Sequence, residues 1–161
     1  MSTIYFKGTK VSKHFTTAEY NHDGSTGVFM NADTLVFIDC IEEFREWTGR
    51  EMHVTSWFRD EKINKACGGI ATSNHLTGTA MDFWFKDQNM TDQNRFIRRA
   101  IKWGEICKAH GAVGEAGLYK EFYHFGIQNA GQIAANGGKF VHWDSRTGKQ
   151  INNPFTILNV F

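Results

Sequence analysis

Proline is almost missing from this sequence: Pro154 is the single example in 161 residues, and no segment is of low complexity. Cysteine is scarce too, and Cys40, Cys67 and Cys107 form an odd set without the paired spacing of a metal cluster. They read as small buried hydrophobes or unpaired thiols, which makes a disulfide framework a poor expectation. Neither sign of charge dominates, since 18 Lys and Arg face 17 Asp and Glu. A balance of +1 offers no electrostatic case for a nucleic-acid partner. No apolar run approaches the ~20 residues of a membrane span, so no membrane partner is expected. The opening Met1-Ser2-Thr3-Ile4-Tyr5-Phe6 lacks the apolar segment and cleavage site of a secretory signal. Synthesis in a cytoplasm follows as an expectation, with delivery by another agent if the protein acts on a cell wall.

What is present is a chain long enough to bury a core as one domain over 1–161, with aromatics at 14% to fill it. Residues 1–31 read as an irregular lead-in, with a turn cluster at 21–27 in which His22 lies. His14 and His22 are potential ligands, though exposure or local hydrogen bonding is the plainer reading. A helix is predicted from about Ala32 to Trp47, capped by Asn31 or Asp33 and ended by Gly49. A strand follows over Met52–Phe58, then a short helix capped by Asp60. Thr91 or Asp92 caps a long helix to about Ala109, with Gly111 just beyond its end. On that helix Arg95, Arg98, Arg99 and Lys102 read as a solvated face. Two short β runs, 112–119 and 122–127, read as a hairpin turning at Lys120-Glu121. Residues 128–161 are a C-terminal extension without an assigned role.

The chemistry concentrates in Ser73-Asn74-His75-Leu76-Thr77-Gly78-Thr79-Ala80-Met81-Asp82. From Thr79 to Phe85 the pattern alternates, so Met81, Phe83 and Phe85 share a core-facing side and Asp82 points the other way. Gly78 lets the loop carrying His75 turn back toward that strand. An imidazole nitrogen and a carboxylate oxygen brought together suit a borderline-soft divalent ion such as zinc. A surface pair or a capping contact is the ordinary alternative for any His and Asp this close in sequence.

The ten-residue string resembles the Ser-x-His-x-x-Gly-x-Ala-x-Asp signature of the zinc D-alanyl-D-alanine carboxypeptidases and L-alanyl-D-glutamate endopeptidases, which cut peptidoglycan peptides. Ser73, His75, Gly78, Ala80 and Asp82 carry the match. Val11–Tyr20 is similar to the lead-in of the same family. Ser56-Trp57-Phe58-Arg59 resembles its Ser-x-Tyr-Arg, whose arginine holds the substrate carboxylate. Gly117–Phe125 resembles its Gly-x-Tyr-x-x-Phe-x-His strand. The resemblance therefore implies zinc held by His75, Asp82 and His124, with Arg59 and Ser73 on the substrate. His142, in Phe140-Val141-His142-Trp143-Asp144, is a rival third ligand. Glu121, three residues before His124, is the implied proton carrier, although strand alternation would turn it away from His124; Glu115 is a second candidate. Gly126 stands where these families carry an acid two residues after the histidine.

The same resemblance implies an α+β domain, with helices packed on one side of a small antiparallel sheet and the zinc groove on its open face. The implied activity is zinc-dependent hydrolysis of a peptide bond in peptidoglycan stem peptides, by a carboxypeptidase or an endopeptidase, as a phage endolysin or virion-associated lysin. A non-catalytic zinc-containing binding module of the same fold is the competing expectation. Oligomeric state is left open.

Overall fold

The computed structural model describes residues 3–6, 9–21 and 27–160. The lead-in is not irregular throughout. Strands β1 (Thr3–Phe6) and β2 (Gly27–Met30) pair antiparallel, and a one-turn helix α1 (Thr17–Tyr20) lies between them in sequence. Thr16 and Glu19 cap α1 reciprocally. Phe15 and Tyr20 then drop into the core against the Trp57 ring, as edge-on pairs at 5.9 and 5.1 Å. Of the turn cluster over 21–27, residues 22–26, His22 among them, lie outside the described residues.

Helix α2 (Ala32–Thr48) starts where Asn31 accepts from the Thr34 amide, and stops at Gly49, which takes a left-handed φ of 60°. Its spacing buries Phe37, Ile41 and Phe44, while Trp47 stays half-exposed at the end of the stripe. Strand β3 (His53–Ser56) leads to helix α3 (Glu61–Ala66), capped by Asp60. A 3-10 turn, Asn74–Thr77, precedes β4 (Ala80–Trp84). Helix α4 (Gln93–Ala109) follows, capped by Asp92. Arg99 departs from the expected solvated face: it is 7% exposed, with its guanidinium 4.1 Å over the Phe85 ring. Strands β5 (Gly114–Leu118) and β6 (Tyr123–Ile127) form the hairpin.

The chain then passes through α5 (Ala130–Ala135), β7 (Val141–Asp144) and β8 (Ile151–Asn152) to a closing 3-10 turn, Thr156–Val160. These residues are no appendage. Strand β7 lies parallel beside β5, giving a six-stranded sheet in the order β3-β4-β6-β5-β7-β8. The architecture is α+β as expected, but the sheet is mixed where an antiparallel one was predicted, because β6 returns the chain to the starting end of β5 and the segment with α5 steps past that end, so that β7 sets out in the direction of β5.

Alternation gives the sheet two unlike faces. Met81, Phe83, Phe125, Ala116 and Leu118 face α2 and α4 and are completely buried. There Phe125 packs 5.0 Å from Phe44 and 5.4 Å from Trp103. Each such ring contributes roughly 1.5–3 kcal/mol by leaving water. The opposite face carries one continuous row through the paired residues Ser56, Asp82, His124, Gly117 and Trp143. Among the described residues, no helix is long and apolar enough to cross a membrane.

Candidate metal centre

Asp82 and His124 are direct partners across β4 and β6, so both side chains rise from the middle of the open face. His75 arrives from the 3-10 turn, which Ser73 caps by accepting from the His75 amide at 3.3 Å. The turn closes at Gly78, whose φ of 67° favours glycine, and a Cβ there would sit 2.4 Å from the Tyr20 hydroxyl. Trp57 clamps the same place, its indole N–H donating to the Gly78 carbonyl at 2.8 Å.

Three atoms meet in front of this face. His75 Nε2 lies 3.1 Å from Asp82 Oδ1 and 3.2 Å from His124 Nδ1, and His124 Nδ1 is 2.9 Å from Asp82 Oδ1. The residues are 2%, 5% and 7% exposed for His75, Asp82 and His124. Each is braced from behind. His75 Nδ1–H donates to the Trp57 carbonyl at 2.6 Å, which leaves Nε2 as a bare lone pair. His124 Nε2–H donates to Glu115 Oε1 at 2.9 Å. Arg59 donates to Asp82 Oδ2 at 2.7 Å, on the side away from the imidazoles, and to Ser56 Oγ at 2.7 Å.

The meeting point calls for positive charge. Burial opposes the Asp82 carboxylate, but the imidazoles of His124 and His75 beside it outweigh that and hold the carboxyl well below the usual range. Burial likewise opposes a charged His124, yet Asp82 and Glu115 push it up to about 9. Burial lowers His75. One proton on His124 Nδ1 can bridge to Asp82, but it leaves the His75 lone pair facing the same point unsatisfied. A single divalent cation satisfies all three atoms at once. The triangle also has the right size, since ligands at ~2.0–2.1 Å around a tetrahedral zinc stand about 3.3 Å apart. The residues present fit the ion.

The centre lies in a cavity of about 400 Å³ whose walls include Arg59, Ser73, Tyr119, Phe122, Gln132 and Trp143. A second hollow of about 320 Å³, reaching Asn21, Ser56 and Ile63, shares Arg59, Asp82, Cys67 and Phe122 with the first. Arg59 and Ser73 both line this cavity, and Arg59 is also hydrogen-bonded to Asp82.

The rival histidine is elsewhere. His142 pairs in register with Ala116, one row away, and so points to the covered face between Phe140 and Phe155, with Nε2–H donating to Asn159 Oδ1 at 3.0 Å. Glu121 lies on the turn before β6, outside strand alternation, and its side chain is exposed and not part of the groove wall. Glu115 does line the cavity, but against the rear of His124. His14 joins Glu42 and Glu46 in a second, largely exposed group, in which Lys13 already holds Glu46 at 2.8 Å. Sequence reasoning passed over Trp143 and Gln132, which belong to the segment read as an extension; no local pattern marks them.

No curated protein and no solved structure shows significant similarity to the chain. The peptidase M15 family matches residues 13–114, more than half of the sequence, a span that includes Arg59, Ser73, His75 and Asp82 and stops before His124. With two of the three clustered side chains inside that match and the third delivered by the neighbouring strand, the chain belongs to the peptidase M15 family, whose members are zinc-dependent metallopeptidases.

Proposed function

We propose that this protein is a zinc peptidase that hydrolyses peptide bonds in peptidoglycan stem peptides, as a phage endolysin or virion-associated lysin. The observation that carries the peptidase reading is the convergence of His75 Nε2, Asp82 Oδ1 and His124 Nδ1 within about 3 Å of one another at the floor of an open groove. The likeness of Ser73–Asp82 to the signature of wall peptidases supports the substrate. Stem peptides are short and rich in carboxylates, and Arg59 offers the groove a guanidinium.

His75, Asp82 and His124 would hold the zinc, which when bound supplies Lewis acidity to polarise the scissile carbonyl and to acidify a water. The protein must then move a proton from that water to the leaving amine. Glu121 is the acid we assign to this step. It lies exposed on the turn three residues before His124, and its carboxylate would have to turn inward to reach the reacting point. Glu115 is a poor choice for it, because the imidazole of His124 lies between its carboxylate and the reacting point. Arg59 serves the substrate's carboxylate with the N–H groups that Asp82 and Ser56 do not take.

The outward placement of Glu121 favours one second reading, a zinc-containing wall-binding module without turnover. Digestion of purified peptidoglycan, followed by mass spectrometry of the soluble peptides, separates the two. Release of peptides with a new amine, abolished by chelation and restored by zinc, supports the peptidase. Wall binding with no new amine on any wall chemotype overturns it.

A further inference from the structure

Glu115 is a buried carboxylate that the proposed chemistry leaves without a task. It is 7% exposed, and its Oε1 accepts from His124 Nε2–H at 2.9 Å. The position is built by three elements. Glu115 on β5 lies directly across from Gly126 on β6, and Trp103 of α4 donates to the carbonyls of both residues, at 3.2 and 3.1 Å. That bifurcated contact pins the pair in register. A Cβ on Gly126 would come 2.6 Å from Glu115 Oε1, and 3.1 Å from both its Cγ and the Ala80 Cβ. The Glu115 side chain therefore fills the space in which residue 126 would carry a side chain of its own.

We propose that Glu115 is the positioning residue of the metal centre, and that residue 126 is glycine because the carboxylate bracing His124 crosses from the adjacent strand through that space. The inference rests on the metal reading above. Its physical content is threefold. Accepting from Nε2–H fixes the tautomer in which Nδ1 carries the lone pair. The same bond fixes the ring's rotation, so that Nδ1 points to His75 Nε2 and Asp82 Oδ1. A carboxylate behind the ring also makes Nδ1 a stronger donor to a cation. With it, every ligand has one partner behind it: Trp57 for His75, Arg59 for Asp82, Glu115 for His124.

The test measures zinc dissociation constants by competition with a chromophoric chelator, together with the visible spectrum of the cobalt-substituted protein. Glu115→Ala is expected to weaken zinc binding by about 10–100-fold and to alter the cobalt bands. Glu115→Gln keeps an acceptor for Nε2–H and should lose less. Gly126→Ala should weaken zinc binding although Glu115 is still present, because it pushes that side chain aside. The double variant Glu115→Ala/Gly126→Asp returns a carboxylate to the same space and should bind zinc more tightly than Glu115→Ala. Should Glu115→Ala fail to fold, Glu115→Gln and Gly126→Ala decide the matter. Variants that lose thermal stability but keep the wild-type zinc constant and cobalt spectrum would overturn the inference alone. Wild-type protein that takes up no zinc would overturn the metal reading and this inference with it.

Discussion

Arg59 grips Asp82 from behind: its Nη2 donates to Oδ2 at 2.7 Å while Oδ1 is left to face His75 and His124. The arginine that the family resemblance casts as a substrate contact is also part of what orients the Asp82 carboxylate toward the two imidazoles. Its Nε is anchored on Ser56 at 2.7 Å, so the fork is held at two points.

Arg59→Lys tests that double duty. An ammonium cannot span Ser56 and Asp82 together, so zinc affinity is expected to fall by about 10-fold or more. A rise in KM with unchanged zinc binding would assign Arg59 to the substrate alone. Steady-state kinetics and a zinc titration on the same preparation distinguish these results.

Glu121→Gln should lower peptide hydrolysis by about 10²–10⁴-fold, the usual range for losing a positioned proton carrier. Because Glu121 is exposed, thermal stability and zinc content should stay at wild-type levels. Full activity in this variant would move the proton transfer to another group.

Gly78→Ala should destabilise the protein by roughly 1–3 kcal/mol, the cost of a non-glycine residue held at positive φ, with a further penalty from the Tyr20 clash. The loop bearing His75 shifts with it. Urea denaturation and zinc titration should both report the change.

Removing zinc with a chelator should abolish hydrolysis and lower the Tm. With zinc at 100 times its dissociation constant, linkage accounts for about 2.7 kcal/mol of stability. Calorimetry with and without chelator checks this, and added zinc should restore both properties.

His142 supplies a dependence on pH separate from the metal. Burial lowers its pKa, against a hydrogen bond to Asn159 that works to raise it, and among the described residues its buried Nδ1 has no partner to accept from the N–H that a second proton would create. Below the ordinary histidine value of ~6.5 the unfolded chain takes up a proton that the folded chain resists. The contribution is thus complete above that value and is lost as the pH falls through the lowered folded pKa. Stability should decline over that range in the wild type, and more shallowly in His142→Phe, by urea denaturation at stepped pH.

Local regularities determined a good deal of this molecule. The spacing of Phe37, Ile41 and Phe44, with Asn31 before and Gly49 after, was enough to place α2. The alternation from Ala80 to Trp84 put Asp82 on the face opposite Met81 and Phe83, and the His75–Asp82 string named in advance two of the three side chains that the structure clusters. These features are legible because helix and strand periods, caps and ligand motifs are written in neighbouring residues. What depends on strands meeting across the sheet is not written there. His124 stands in the ligand row and His142 one row over only because β6 pairs with β4 while β7 pairs with β5. Glu115 reaches His124 only through its register opposite Gly126, and Trp143 reaches the groove only because β7 runs parallel to β5. Such pairings are set by hydrogen bonds and packing between segments far apart in the chain, so the resemblance could name His124 with His142 as its rival, but only the tertiary structure puts His124 beside His75 and Asp82, with Glu115 behind it and Trp143 on the groove's far wall.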